Sequence, residues 1–226
     1  MSYTLSGNQY GKAEIHIVRI YRDTPRHEIR DITVTTALQG DFADAYLTGD
    51  QHEVLPTDTQ KNTAFVWAKT HGDGAVEDYA LALARHFVDD VEPVHRAQVD
   101  VLVDAWQRAV VDGAEHDHTW VKKGPENRTV RVVVEGEGDA PSVTVSGGVS
   151  DFVILKSTGS EFHGFLKDEY TTLEETHDRI MATSLVARWR YTSTDVEWDK
   201  TRTDVRRILI DRFADVHSLC IQRNME

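Results

Sequence analysis

Ile32-Thr33-Val34-Thr35-Thr36-Ala37-Leu38 carries a strand pattern from which the rest of the fold can be worked out. Ile32, Val34 and Leu38 alternate with Thr33, Thr35 and Thr36. Period-two patterning rich in β-branched residues reads as a strand with one buried face. Upstream, Ile15, Ile17 and Ile20 are apolar among the polar His16 and Arg19, which predicts a second strand. Asp23-Thr24-Pro25-Arg26 between them is a turn signal, so the pair reads as an antiparallel hairpin.

Downstream the period changes. Val76, Tyr79, Ala80, Leu83, Ala84, Phe87 and Val91 recur at three and four, which predicts one apolar helix face, and Pro93 ends it. A shorter helix is expected over 61–69, where Ala64, Trp67 and Ala68 share a side. Ala97, Val99, Val101, Val103 and Ala105 alternate as a third strand. After the turn at Asp112-Gly113, His118 to Lys122 reads as a fourth.

The second half starts the same way, with valine-rich strands over 129–135 and 142–155, the latter interrupted by Gly147-Gly148. A helix is expected from Leu173, because Thr172 and Glu175 have capping-box spacing and Leu173, Thr176, Ile180 and Met181 share a side. A short strand over 187–191 follows. A final helix carries Val205, Ile208, Leu209, Phe213 and Val216. The expectation is an α+β fold of two tandem repeats, 1–124 and 125–226, with antiparallel sheets, helices on one face and an incomplete second repeat.

The chain has 226 residues, with 38 acidic and 25 basic side chains and a formal charge of −13. That balance argues against binding nucleic acid through a broad basic face. One cysteine, Cys220, excludes an intramolecular disulfide framework and Cys-rich metal sites. Met1 to Gly11 shows no targeting pattern, and no run approaches the roughly 18 apolar residues of a membrane span. The cytoplasm is the expected compartment, and the Asn127-Arg128-Thr129 sequon is read as accidental.

Cofactor motifs are missing. Gly136-Glu137-Gly138 runs into Pro141 and matches neither a dinucleotide nor a phosphate loop. His116 and His118 could pair on a metal, but no third ligand has suggestive spacing, so a structural or solvated pair is the better reading. Lys156-Ser157-Thr158-Gly159-Ser160 lacks the flanking pattern of a serine nucleophile and reads as a turn of backbone-bonding hydroxyls. The polar run Thr57-Asp58-Thr59-Gln60-Lys61-Asn62-Thr63 opens a helix. Thr57 or Asp58 could cap it, and the free amides there suit an anionic ligand.

Several strings taken together resemble the urate oxidase (uricase) family. They are Tyr10-Gly11-Lys12, Thr57 to Thr63, Leu155 to Ser160, and Phe162-His163-Gly164-Phe165. Asp168-Glu169-Tyr170-Thr171-Thr172-Leu173, Thr176-x-Asp178-Arg179-Ile180 and His116-Asp117-His118 complete the set. The resemblance runs from about Asn8 to Gln222. It implies a tandem tunnelling fold (T-fold), usually assembled as a homotetramer. It also implies oxidation of urate by dioxygen and water to 5-hydroxyisourate and hydrogen peroxide, with no metal and no organic cofactor.

By motif, Lys12 and Thr57 match the catalytic lysine–threonine proton relay, and a partly desolvated lysine can serve as such a base. Thr57 and Asp58 match backbone contacts to substrate, and Phe162 the aromatic that stacks on the purine. Leu173 matches an apolar wall, Arg179 a bidentate clamp on the urate anion, and Ile221 with Gln222 the segment that reads the purine edge. The resemblance places the pocket between subunits. Without it, Lys12 reads as a surface lysine, Phe162 as a core residue, Gln222 as an ordinary polar residue, and Arg179 as a helix arginine paired with Glu175.

The family continues past the equivalent of Glu226 with a helix, two strands and a Leu-Pro-Asn-Lys-His motif that is not present here. The chain is therefore expected to be a truncated form. Two other readings stay open: a catalytically incomplete purine-binding or structural subunit, and another T-fold enzyme acting on a purine or pterin.

Overall fold

In a computed structural model of the chain, residues 4–136 and 140–218 are described. Among these residues six strands form one antiparallel sheet. Strands β1 (Tyr10–Tyr21) and β2 (Glu28–Gly40) make the opening hairpin. After the short α1 (Ala43–Leu47), helices α2 (Thr57–Thr70) and α3 (Val76–Asp90) cross one face. The chain returns as β3 (Val94–Val103) beside β2.

A separate hairpin follows, β4 (Trp106–Val111) and β5 (Ala114–Lys122). Its turn residues Asp112 and Gly113 have φ of 50° and 81°, the positive pair a tight hairpin turn demands. This hairpin packs beside the β1–β2 turn, where His27 N donates to Asp117 O at 3.0 Å and Arg26 pairs with Glu115 at 2.6 Å. The sequence predicts a fourth strand over 118–122. It belongs instead to this side hairpin, and β6 (Asn127–Glu135) takes the place beside β3.

The sheet continues through β7 (Ser142–Lys156) to β8 (Met181–Arg190), and α4 (Trp198–Asp215) closes the described chain. Strands β1 and β7 each carry a bulge with one residue in the left-handed region, Glu14 (φ 56°) and Asp151 (φ 54°).

The core lies between the sheet and its helices. Ile15, Ile17, Ile32, Val34, Val99, Val101, Val130 and Val132 meet Tyr79, Leu83 and Phe87 of α3. Each such fully buried large side chain contributes about 1.5–3 kcal/mol. On the other sheet face Asp100 and Arg131 sit opposite each other and pair at 2.5 Å.

The expected helix from Leu173 does not form. Phe162 and Thr176 pair instead as an isolated antiparallel bridge, and Arg179 N donates to Ser160 O at 2.8 Å. A helix needs a core to receive its apolar stripe, and here Leu173 is 55% and Ile180 68% exposed. Met181 starts β8, whose burial alternates residue by residue to Arg190.

Candidate functional site

Strand β1 begins with a constraint. A Cβ on Gly11 would lie 1.9 Å from the Thr36 carbonyl oxygen, so only glycine fits there. That close approach sets Lys12 opposite Thr36, whose hydroxyl accepts from Lys12 N at 3.3 Å. Thr36 donates in turn to Gln60 Oε1 of α2 at 2.8 Å, and both side chains are buried. This buried polar pair holds the first turn of α2 against the start of β1.

Helix α2 starts without a side-chain cap. The N-cap residue is Pro56, not Thr57 or Asp58 as expected, and it has no hydroxyl or carboxylate to offer. Asp58 turns down the helix instead. The Lys61 ammonium donates to it, Asn62 Nδ2 adds a bond at 3.1 Å, and the charge of Lys12 acts from further off. Together they hold its carboxyl below the usual carboxylate range. Gln60 N donates to Pro56 O at 3.1 Å, but the amides before it, the Thr57 hydroxyl and Lys12 Nζ have no side-chain partner among the described residues. The result is a patch of unspent donors carrying positive potential.

The second group lies in the connection from β7 to β8. Ser160, fully buried, accepts from Arg179 Nε at 3.2 Å. The guanidinium lies 5.5 Å from the Phe162 ring centre, and Phe162 stacks on Phe165 at 4.7 Å. Because Nε is engaged, both terminal nitrogens of Arg179 stay free among the described residues. Asp178 secures the loop below, accepting from Thr158 Oγ1 at 2.9 Å and Gly159 N at 3.2 Å. Glu175 pairs with Lys167 at 3.1 Å and leaves Arg179 alone.

The structure thus brings Lys12 within electrostatic reach of Asp58, the residue after Thr57, and Phe162 to Arg179. It places Leu173 on the same β7–β8 connection, exposed. Ile221 and Gln222 lie outside the described residues. The two groups are not brought to each other: β1 is one edge of the sheet, and β7 lies beyond β2, β3 and β6. At the usual strand spacing that separation is about 19 Å, too far for one purine to touch both.

Thr36, Gln60, Ser160 and Asp178 were missed from the sequence. Thr36 left a signal, since it occupies an inward position in the period of Ile32, Val34 and Leu38. Among the described residues His116 and His118 gather no third metal ligand; their rings meet edge to face at 4.4 Å.

A free guanidinium above an aromatic ring suits a planar anion, and an unpaired lysine at an uncapped helix start suits proton transfer. Such features suit a flat, acidic heterocycle held on an antiparallel α+β scaffold. The uricase family's sequence pattern matches residues 8–133 and 145–225. A uricase of Arthrobacter globiformis is 42% identical over 221 residues, covering 98% of this chain and 70% of that protein. One from Aspergillus flavus is 31% identical, covering 96% of this chain and 74% of that protein.

The crystal structure of the Arthrobacter globiformis uricase superposes with a TM-score of 0.91 at 40% identity, over all of this chain and 75% of that one. Urate oxidase from Bacillus sp. TB-90, 21% identical over 96% of this chain and 81% of its own, shares the fold at a TM-score of 0.86. The chain belongs to the uricase family, and its fold is the tunnelling fold of those structures. Among the described residues no helix is long and apolar enough to cross a membrane.

Proposed function

We propose that this chain is a urate oxidase acting in purine degradation in the cytoplasm. The reaction takes urate, dioxygen and water to 5-hydroxyisourate and hydrogen peroxide. The observation that carries the reading is the Arg179 guanidinium held by Ser160 above Phe162, with both terminal nitrogens free. A purine anion stacked on Phe162 would receive two parallel hydrogen bonds from those nitrogens. Lys12 and the Thr57 hydroxyl would then remove its proton. Two electrons pass from the heterocycle to dioxygen, which leaves as hydrogen peroxide with two protons. Water adds at C5, and its remaining hydroxyl becomes the 5-hydroxy group. Leu173 would wall the pocket, Thr57 and Asp58 would offer backbone donors, and Ile221 and Gln222 would read the purine edge.

The two groups lie toward opposite edges of the sheet, which supports a pocket shared between copies of the chain in a homotetramer. No organic cofactor or catalytic metal enters this scheme, and no nucleic acid or membrane partner. The division into repeats 1–124 and 125–226 is a proposal of the same kind. The bulges in β1 and β7, each with one residue of positive φ, support an internal repeat.

The test follows the near-ultraviolet absorbance of urate together with peroxide under air. Matched loss and formation are expected; binding of urate without turnover would leave only the purine-binding reading. Replacing Lys12→Met should abolish turnover while calorimetric binding of urate persists. Unchanged turnover would remove Lys12 from the relay.

A further inference from the structure

Phe162 and Thr176 exchange both backbone hydrogen bonds, at 2.8 and 2.9 Å. On either side of such a bridge, neighbouring side chains turn to the opposite face. Phe162 looks toward Arg179. Glu161 and His163, flanking Phe162, and His177, following Thr176, therefore gather on the other side. One ligand atom from each lies within 4.8 Å of the others. Glu161 Oε2 is 3.5 Å from His163 Nε2, and the rings of His163 and His177 are 4.6 Å apart.

The end of the described chain closes this cluster from a third side. Ser218 Oγ accepts from Glu161 N at 2.8 Å and donates to Glu161 O at 3.0 Å, and Ser218 N reaches Gly159 O at 3.3 Å. This clamp brings His217 Nδ1 to 3.3 Å from Glu161 Oε1. The contact has ion-pair distance but not hydrogen-bond geometry, so the buried Nδ1 is left without a proper partner.

We propose that Glu161, His163 and His177 form a binding site for a divalent transition cation of the zinc type. Two imidazole nitrogens and one carboxylate oxygen are a donor set such ions accept. In a tetrahedral site with bonds near 2.0–2.1 Å, neighbouring ligand atoms lie about 3.3–3.4 Å apart. The Glu161–His163 separation of 3.5 Å already has that dimension. His217 faces the second carboxylate oxygen and acts as a positioning residue, orienting the ligand as outer partners do. His177 is exposed, which leaves the fourth position to water.

The ion would not touch substrate. It would tie residues 161–163 to residue 177 and so stiffen, from behind, the pair of segments that present Phe162 and Arg179. This inference does not depend on the oxidase reading, and its test contains no urate.

The untagged full chain, stripped with a chelator and dialysed, is titrated with zinc chloride in a calorimeter. One zinc per chain is expected, with a rise in Tm that follows zinc concentration. The double variant His163→Ala/His177→Ala should lose the binding, and His116→Ala/His118→Ala should keep it. His217→Ala should weaken it about tenfold or more. If the double variant does not fold, the single exposed change His177→Gln serves in its place and should also lose stoichiometric binding. No stoichiometric binding by the unaltered chain, or binding that survives loss of His163 and His177, overturns the proposal.

Discussion

Ser160 holds both the backbone and the side chain of Arg179. Ser160, buried beneath it, accepts from Nε and leaves the outer edge of the guanidinium free over Phe162. A lysine could supply the charge but not the fork, because its single ammonium cannot bond Ser160 and still present two parallel donors. Arg179→Lys should therefore weaken urate binding by about 1.5–3 kcal/mol, the value of a hydrogen bond to a charged group. Calorimetry on the folded variant reads this, and an unchanged affinity would take Arg179 out of the pocket. Residue identities of this kind were legible only as parts of long strings. Neither Lys12 nor Arg179 is singled out by spacing or periodicity, and each alone reads as a surface cation. The supports beneath them were less legible still. Thr36 stands at an inward position of β2, where a polar side chain needs a partner, but nothing in the sequence pointed to Gln60. Ser160 looked like one more hydroxyl in a turn.

Strands and helices that bury one face were legible from the sequence, because burial imposes a period that the composition records. The stretch 172–180 shows the limit of that logic. Capping-box spacing and apolar residues at three and four read as helix, yet no surface lies behind them. The backbone pairs with Phe162 and Ser160 instead. Helix α4 is held differently from α2 and α3. Only Trp198 and Phe213 of it are buried, and much of its attachment is ionic. At its start Arg128 bridges Glu77 at 2.5 Å and Asp199 at 2.6 Å. Glu77 is 1% exposed, and its Oε1 already lacks a partner. Arg128→Met would strand that buried carboxylate and should cost about 3–5 kcal/mol in chemical denaturation. Adding Glu77→Leu should recover most of the loss, and a double variant as unstable as the single one would refute the account. Further along α4, Arg206 donates two hydrogen bonds of 2.7 Å to Glu126, and Arg202 approaches the same carboxylate at 3.6 Å. The Arg206 bonds are the main reason that the Glu126 carboxyl titrates below its usual value. A carboxyl lowered in the folded state adds stability above its unfolded pKa, near 4.3, and loses it as the pH falls through the folded value. Glu126→Gln should therefore lower stability at pH 7, and the gap to the unaltered protein should narrow as the pH drops below about 4.3. A gap that does not depend on pH would mean that packing, not charge, holds α4 there.

The sheet as a whole keeps its two halves of chemistry apart. Lys12 rides on the free edge strand β1, while Phe162 and Arg179 hang from the connection between β7 and the opposite edge strand β8. An open edge strand invites pairing with another chain, and a symmetric oligomer can carry one chain's β1 region to another chain's β7–β8 connection. This arrangement could not be read from periodicity, which speaks only of a strand's own faces and not of what meets its edge. Subunit mixing tests it directly. Lys12→Met disables one half of every site, and Arg179→Gln disables the other. If each site takes Lys12 from one chain and Arg179 from another, random assortment of the two variants restores about one site in four in a symmetric oligomer. Each variant alone should be inactive, and refolding them together should return peroxide formation to about a quarter of the unaltered rate, by the same assortment. Co-refolded oligomers with no recovered activity, once sedimentation shows that mixed species form, would place both residues in a single-chain site. The chain would then have to fold so that its two sheet edges meet, which the strand order β1-β2-β3-β6-β7-β8 does not allow without closing the sheet on itself.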